Sequence, residues 1–125
     1  MDDEAIGKQI VDCAIKVHTA LGAGLLESAY ESCLGHELKK QGLDVNGQVS
    51  MPVLYDGINL DVGYRIDMLV NDRVIVELKA VERLLPIHTA QLLTYLKLSN
   101  LRLGFLLNFN VEHMRQGIKR VVNGF

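Results

Sequence analysis

The spacing of apolar residues predicts that the chain begins with two helices. In the first segment the apolar positions recur at intervals of three and four, the period of one helix face. These positions are Ile6, Ile10, Cys13, Ala14, Val17 and Leu21. Asp2 or Asp3 can cap this helix, and Gly22 and Gly24 can end it. The second helix is predicted to run through Leu26, Tyr30, Leu34 and Leu38 and to end at Gly42.

Residues 48–80 are dominated by β-branched and aromatic residues interrupted by turn signals. Asp56-Gly57 is a strong hairpin signal, and Asn71-Asp72 between "YRIDMLV" and "VIVELKA" is a weaker one. The pattern predicts three antiparallel strands in this region. Pro52 lacks a backbone N–H, so the first strand should lie at a sheet edge or break near this residue.

The last third of the chain predicts a helix and two strands. Pro86 suits the first turn of a third helix, which Asn100 interrupts, and its apolar side consists of Leu92, Leu93 and Leu96. "RLGFLLNF" reads as a fully buried strand, and "GIKRVVNGF" fits either a strand or a short helix, with the strand favoured. The predicted order is ααβββαβ with a short C-terminal strand, an α/β arrangement.

Composition indicates one globular domain over residues 1–125, since 49% of residues are hydrophobic and 22% are charged. The net charge of −2 excludes nucleic-acid binding through bulk positive charge. Cys13 and Cys33 fall on helical apolar positions and are expected to be core residues. The start of the chain lacks a secretory pattern and no segment reads as a membrane span, so we expect a cytoplasmic protein without membrane contact.

The strand "VIVELKA" places two charges on one face, because side chains alternate along a strand. Glu77 and Lys79 share that face with Ile75. An ion pair on a wet sheet face is one interpretation, worth about 0–1 kcal/mol. A metal site is the other interpretation, because Asp67 on the preceding strand supplies a second carboxylate. Two neighbouring carboxylates repel each other, and Mg²⁺ can hold both.

The turn between the two strands tests the metal-site interpretation. With a two-residue loop, Asp67 would pair with Val76 and face away from Glu77. With a three-residue loop or a bulge, Val70 pairs with Val74 and Asp67 lies opposite Glu77. A metal site therefore predicts the longer loop.

Four ordered motifs, "GLLESAY", "RIDMLV", "VIVELKA" and "QLLTYL", resemble the GxxExxY proteins, a branch of the PD-(D/E)xK nuclease superfamily. The resemblance extends from the first helix to "GIKRVVNGF". It implies a restriction-endonuclease-like core, a mixed central β-sheet flanked by helices. It further implies cleavage of nucleic-acid phosphodiester bonds with Mg²⁺ or Mn²⁺, favours DNA as the substrate, and suggests an action like that of RecB-type and phage exonucleases.

The resemblance also implies roles for individual residues. Asp67 and Glu77 match the metal ligands, Lys79 matches the catalytic lysine, and Glu27 matches a helical acid that completes the site. The accessory Gln-x-x-x-Tyr motif corresponds to Gln91 and Tyr95. Ile66 stands where the superfamily's name has proline, a position that varies widely among such enzymes.

The residues themselves leave the accessory roles open. Gln91 and Tyr95, four apart on a helix, together with His88 predict a polar strip opposite the leucines, with plain solvent exposure as the alternative. Exposure is the favoured interpretation for His88. Tyr30 lies three residues after Glu27 and either bonds that carboxylate or fills the core.

Three functions fit the sequence: a metal-dependent nuclease, a non-catalytic nucleic-acid- or protein-binding module that retains the fold, and a small interaction domain. The chain is close to a bare core, so a partner protein or a homodimer is expected to supply substrate choice. Six basic residues are candidate contacts to a nucleic-acid backbone: Lys39, Lys40, Arg102, Arg115, Lys119 and Arg120.

Overall fold

The computed structural model describes residues 1–124, so Phe125 in the predicted C-terminal segment lies outside the described residues. The three helices are α1 (Asp3–Leu21), α2 (Glu27–Lys40) and α3 (Pro86–Ser99). The strands are β1 (Val45–Ser50), β2 (Val53–Tyr55), β3 (Ile58–Leu60), β4 (Arg65–Val70), β5 (Val74–Lys79), β6 (Leu103–Asn108) and β7 (Ile118–Val122). A 3₁₀ turn at Met114–Gly117 precedes β7.

Local chemistry sets the helix boundaries close to the predicted ones. The Oδ1 of Asp2 accepts the backbone N–H of Ala5 at 2.8 Å and caps α1. Gly22, at φ +70°, follows the last residue of α1, and Gly42, at φ +83°, lies just beyond α2. Glycine adopts such angles without steric cost, which explains why both helices end there.

A five-stranded mixed sheet, ordered β1-β4-β5-β6-β7, forms the centre of the molecule. The pair β5–β6 is parallel and the other three pairs are antiparallel. The connection between the two parallel strands contains α3, as a parallel crossover requires. The predicted mixed sheet flanked by helices is confirmed, and "GIKRVVNGF" contributes a strand as favoured.

Two apolar clusters cover the two faces of the sheet. The first joins α1 and α2 to one face and includes Val76 and Leu78. The second joins α3 to the opposite face and includes Ile75 and Leu92. Strand β5 is therefore buried on both faces, and Glu77, by alternation, lies on the α3 face with Ile75.

The strand count in the middle of the chain was wrong, because this region holds five strands rather than three. Asp56 (φ +52°) and Gly57 (φ +73°) form the predicted turn, but they join β2 to β3 in a separate two-stranded sheet. Three strands of the main sheet, β1, β4 and β5, are antiparallel as expected. Pro52 lies just after edge strand β1, which fits its missing donor.

No helix in the described residues is both long and apolar enough to cross a membrane.

Candidate metal centre and its surroundings

The hairpin between β4 and β5 carries the longer loop that a paired-carboxylate site requires. Val70 pairs with Val74, and Met68 pairs with Val76. Asn71 and Asp72 adopt φ values of +53° and +54°, and the turn closes through a bond of 3.0 Å between the N–H of Arg73 and the carbonyl of Val70. The same register brings Asp67 opposite Glu77.

Asp67 and Glu77 are joined by reciprocal bonds in which carboxylates replace backbone carbonyls. The N–H of Asp67 donates to Oε2 of Glu77 at 2.7 Å. The N–H of Leu78 donates to Oδ2 of Asp67 at 2.9 Å. Each carboxylate is thus fixed by the neighbouring strand, and each uses only one oxygen for these bonds. The second oxygens, Oε1 of Glu77 and Oδ1 of Asp67, remain for other partners.

Burial makes the Glu77 carboxyl hard to ionise. The residue is only 4% exposed, and burial first, with the charge of Asp67 second, raises its pKa from 4.5 to about 8. The Asp67 backbone bond and the charge of Lys79 act in the opposite direction. A buried acid with a raised pKa beside a second acid is typical of sites that bind a cation or transfer a proton.

Lys79 is the last residue of β5 and is half-buried. Its charge lowers the pKa of both Glu77 and Glu27, against the larger effect of burial. The backbone after Lys79 is fixed by Asn108, which is 2% exposed. The Asn108 side chain accepts the N–H of Val81 at 3.1 Å and donates to its carbonyl at 3.0 Å.

Two acids of α2 approach the Asp67 carboxylate. Glu27 begins the helix and is exposed, yet partial burial of its carboxyl followed by the charge of Asp67 raises its pKa. Glu31 lies one turn later, and its pKa is raised by burial and, to a smaller extent, by Asp67. Oε1 and Oε2 of Glu31 lie 3.0 and 3.2 Å from the side-chain nitrogen of Gln48.

Tyr30 is fully buried and holds the turn that precedes α2. Its hydroxyl donates to the carbonyl of Gly22 at 2.6 Å and accepts the N–H of Leu25 at 3.1 Å. Its ring stacks on Phe109 at a centroid distance of 4.5 Å. Of the two interpretations left open, the core tyrosine is the one observed, and the hydroxyl bonds the α1–α2 turn rather than Glu27.

The prediction of a polar strip on α3 was wrong for Tyr95. This residue is only 5% exposed and packs with Leu92 and Leu96. Tyr95 lies three residues after Leu92 and one before Leu96, so it shares their side of the helix. Burial and then the charge of Glu77 raise its pKa. The charge of Asp67 acts on the Tyr95 phenol in the same direction.

Gln91 is half-buried and lines, with Tyr95 and Tyr64, a cavity of about 270 Å³ between α3 and the β2–β3 hairpin. The two carboxylates are not among its lining residues. His88 is half-buried rather than fully exposed. Its Nδ1 accepts the N–H of Leu85 at 3.0 Å and caps α3.

Three residues that contact the predicted site residues or the backbone beside them were missed in the sequence. Glu31 follows Glu27 by four, so the two share a helix face, a spacing that the sequence displays. Asn108 is a lone amide in an otherwise apolar strand, and a buried amide needs partners. Gln48 gave no such signal, because its contacts depend on a backbone conformation, at φ +51°, that glutamine does not favour.

The donor set suits a hard divalent cation. Mg²⁺ is commonly held by one or two carboxylates, with water and substrate phosphate as its remaining ligands. Asp67 and Glu77 supply two carboxylates whose mutual repulsion a cation would offset. Within residues 1–124, no group of three or more His, Cys, Asp or Glu side chains is arranged to hold a metal ion. The three-acid ligand set with Glu27 stays a prediction.

Comparison with known proteins identifies the fold family. The family model of the PD-(D/E)XK nuclease superfamily matches residues 4–121, nearly the whole chain. No curated protein and no solved structure matches the chain significantly. The observed mixed sheet with flanking helices agrees with the restriction-endonuclease-like core of that family. The chain therefore belongs to the PD-(D/E)XK nuclease superfamily.

Proposed function

We propose that the protein is a Mg²⁺-dependent nuclease of the GxxExxY branch that hydrolyses phosphodiester bonds in nucleic acid. The observation that carries the proposal is the reciprocal bonding of Asp67 and Glu77. It keeps two carboxylates side by side although burial and repulsion oppose this. A fold that served only as a scaffold would not need two repelling acids here, because ordinary strand pairing satisfies the same backbone N–H groups.

In the proposed site, Asp67 and Glu77 hold Mg²⁺, or Mn²⁺, and Glu27 adds a further carboxylate at the start of α2. A metal held there supplies a Lewis acid for the phosphate and lowers the pKa of a bound water. Without these three acids, the net charge of the chain changes from −2 to +1. When a metal neutralises the acids, the rest of the protein therefore does not repel phosphate.

Lys79 is the proposed catalytic lysine. It stands at the end of β5, on the same face as Glu77. From this position its ammonium group stabilises the negative charge that develops on the phosphate during cleavage. The Asn108 contacts support this role, since they fix the backbone that follows Lys79 and thereby limit the positions available to it.

Gln91 and Tyr95 are proposed to contact the substrate from α3, and Tyr30 to support Glu27 through the turn that it holds. DNA is the proposed substrate and exonuclease-like action the proposed mode, by resemblance of Gln91 and Tyr95 to the accessory motif of RecB-type enzymes. The exposed basic residues Lys39, Arg115 and Lys119 are candidate phosphate contacts.

The second candidate is a non-catalytic binding module, and the separate β2–β3 hairpin favours it. Leu54, Tyr55 and Ile58 on this hairpin are 67%, 71% and 57% exposed. Exposed apolar clusters of this kind often contact partners, so a partner protein or a homodimer fits either function.

The testing experiment is cleavage of end-labelled single- and double-stranded DNA and RNA by the purified wild type, with Mg²⁺ and with EDTA. We expect the wild type to cleave at least one DNA substrate in Mg²⁺. EDTA should abolish this cleavage, and Glu77→Gln should not cleave the substrate. Equal cleavage by wild type and Glu77→Gln would reveal a contaminant and refute the proposed function. Metal-independent binding without cleavage by either protein would favour the binding module.

A further inference from the structure

We propose that Gln48 is a positioning residue that holds the Asp67 carboxylate against α2 through a bridge to Glu31. The inference rests on the proposed function, because it concerns the geometry of one proposed metal ligand. Three observations carry it: the backbone conformation of Gln48, a change of side-chain faces at Asp67, and the contacts of the Gln48 amide.

Gln48 has an unusual backbone for a residue within a strand. Its φ is +51°, in the left-handed region where residues other than glycine, asparagine and aspartate are uncommon. The β1–β4 register pairs Gly47 with Met68 and Val49 with Ile66, so Gln48 lies opposite Asp67. Strained backbone of this kind persists only where surrounding contacts enforce it, and it concentrates at functional sites.

The two strands exchange faces at this point. Val45 and Met68 contact the cluster under α1 and α2, whereas Val49 and Ile66 contact the cluster under α3. Strict alternation would keep Val45 with Val49, and Met68 with Ile66, on one face. The exchange redirects the Gln48 side chain toward α2, as irregular strand residues beside active sites often do.

The Gln48 amide then bridges two acids. Its Nε2 donates to Oε1 and Oε2 of Glu31 at 3.0 and 3.2 Å, and lies 3.5 Å from Oδ1 of Asp67. Carboxylates accept hydrogen bonds, so the nitrogen and not the oxygen of the amide must face them. Oδ1 is the Asp67 oxygen that the Leu78 N–H does not use.

A neutral amide suits this place better than a charged group. Lysine or arginine would neutralise the acids and compete with a metal for the same oxygens, whereas a neutral amide links the two carboxylates and leaves their charge in place. Outer contacts that orient a ligand carboxylate commonly change metal affinity about 10- to 100-fold when they are removed. Gln48 is therefore expected to tune metal binding without touching the metal.

The test uses Gln48→Gly, which removes the amide and relieves the strained φ. If Gln48 positions Asp67, the metal-free variant should unfold at a temperature equal to or above that of the wild type. Its Mn²⁺ affinity, measured by electron paramagnetic resonance, should fall about 10-fold or more, and kcat should fall more than KM changes.

Asn46→Gly, at an exposed position two residues earlier in β1, is the matched control and should keep wild-type Mn²⁺ affinity. A purely structural role predicts the opposite, a lower unfolding temperature with unchanged Mn²⁺ affinity, and would overturn the inference.

A second measurement is independent of catalysis. In ¹⁵N-labelled metal-free protein, the side-chain amide signals of Gln48 should shift in Asp67→Asn and in Glu31→Gln. If the wild type neither binds Mn²⁺ nor cleaves, the proposed function fails, while shifted Gln48 signals would still support the bridge. Gln48 signals that stay unchanged in both variants would overturn the bridge whatever the activity.

Discussion

Asp67 and Glu77 exchange bonds across two neighbouring strands: the Asp67 N–H binds the Glu77 carboxylate at 2.7 Å, and the Asp67 carboxylate binds the N–H that follows Glu77 at 2.9 Å. Each acid therefore fixes the backbone at its partner's position. The arrangement holds two carboxylates together at the point where regular pairing between β4 and β5 ends. Its cost is visible at Glu77, whose pKa rises to about 8.

The raised pKa of Glu77 predicts that stability falls with pH. An unfolded glutamate loses its proton near 4.5, whereas the folded Glu77 keeps it until about pH 8. The folded state therefore holds the extra proton between these values, and its advantage is complete below about 4.5 and lost as pH rises through 8. We expect Glu77→Gln, which cannot ionise, to lack this loss. In urea unfolding of metal-free protein from pH 5 to pH 9, the two curves should diverge by roughly 2–4 kcal/mol.

Glu37 provides the control for this titration, because ion pairing with Lys16 lowers its pKa instead. Glu37→Gln should leave the downward slope of stability between pH 5 and pH 9 in place. Parallel curves for wild type and Glu77→Gln would show that Glu77 ionises normally and would contradict the prediction.

Divalent metal should stabilise the protein through Asp67 and Glu77. At a Mg²⁺ concentration about 100 times Kd, binding to the folded state adds about 2.7 kcal/mol. We expect a rise in Tm at pH 8 that EDTA reverses, and a smaller rise at pH 6, where Glu77 is protonated and must release its proton to bind. Asp67→Asn and Glu77→Gln should abolish the rise. Glu112→Gln removes an acid that is 86% exposed, and a loss of the rise in this control would indicate nonspecific binding.

Two substitutions of Tyr95 should distinguish its contribution to packing from a contribution to cleavage. Tyr95→Phe keeps the ring among Leu92 and Leu96, so the free energy of unfolding should stay within about 1 kcal/mol of the wild type. Tyr95→Ala should cost about 3–5 kcal/mol, because it empties a buried site. If the phenol contacts substrate, Tyr95→Phe should lower kcat/KM for cleavage while Tm is retained. A Tyr95→Phe variant with full activity would limit Tyr95 to the core.

Asn108→Ala should destabilise the protein by about 1–3 kcal/mol, because it removes the partner of the Val81 N–H and leaves the Val81 carbonyl with the longer bond from Asn110. Urea unfolding measures the loss. Asn110→Ala is the matched control, since Asn110 is exposed and its side chain makes a longer bond, of 3.4 Å, to the same carbonyl. Equal effects of the two substitutions would contradict a special role for Asn108.

The sequence predicted the features that depend on a local rule, such as strand alternation or helix capping. Alternation predicted that Glu77 and Lys79 share a face, and the need to align Asp67 with Glu77 predicted the longer turn at Asn71-Asp72. Helix ends followed from capping residues such as Asp2 and from Gly22. Such features depend on neighbours in the sequence, so local patterns suffice to predict them.

The features that escaped prediction depend on tertiary contacts. Gln48 adopts its left-handed backbone where Glu31 and Asp67 receive its amide, and no propensity of glutamine favours that angle. Tyr95 was expected on a polar strip, but the second apolar cluster receives its ring. The β2–β3 hairpin pairs with itself rather than with the main sheet, a choice among strand partners that local pattern does not determine.

Lys79→Ala gives the sharpest test of whether Asp67, Glu77 and Lys79 form one phosphodiesterase site. The measurement is kcat for cleavage of a labelled DNA oligonucleotide in Mg²⁺, compared with Lys8→Ala, which removes an equal charge from the exposed Lys8–Asp12 pair. The prediction is that Lys79→Ala lowers kcat about 100-fold or more, with Tm and Mg²⁺ binding close to wild type, and that Lys8→Ala changes none of these three quantities. Wild-type kcat in Lys79→Ala would contradict it.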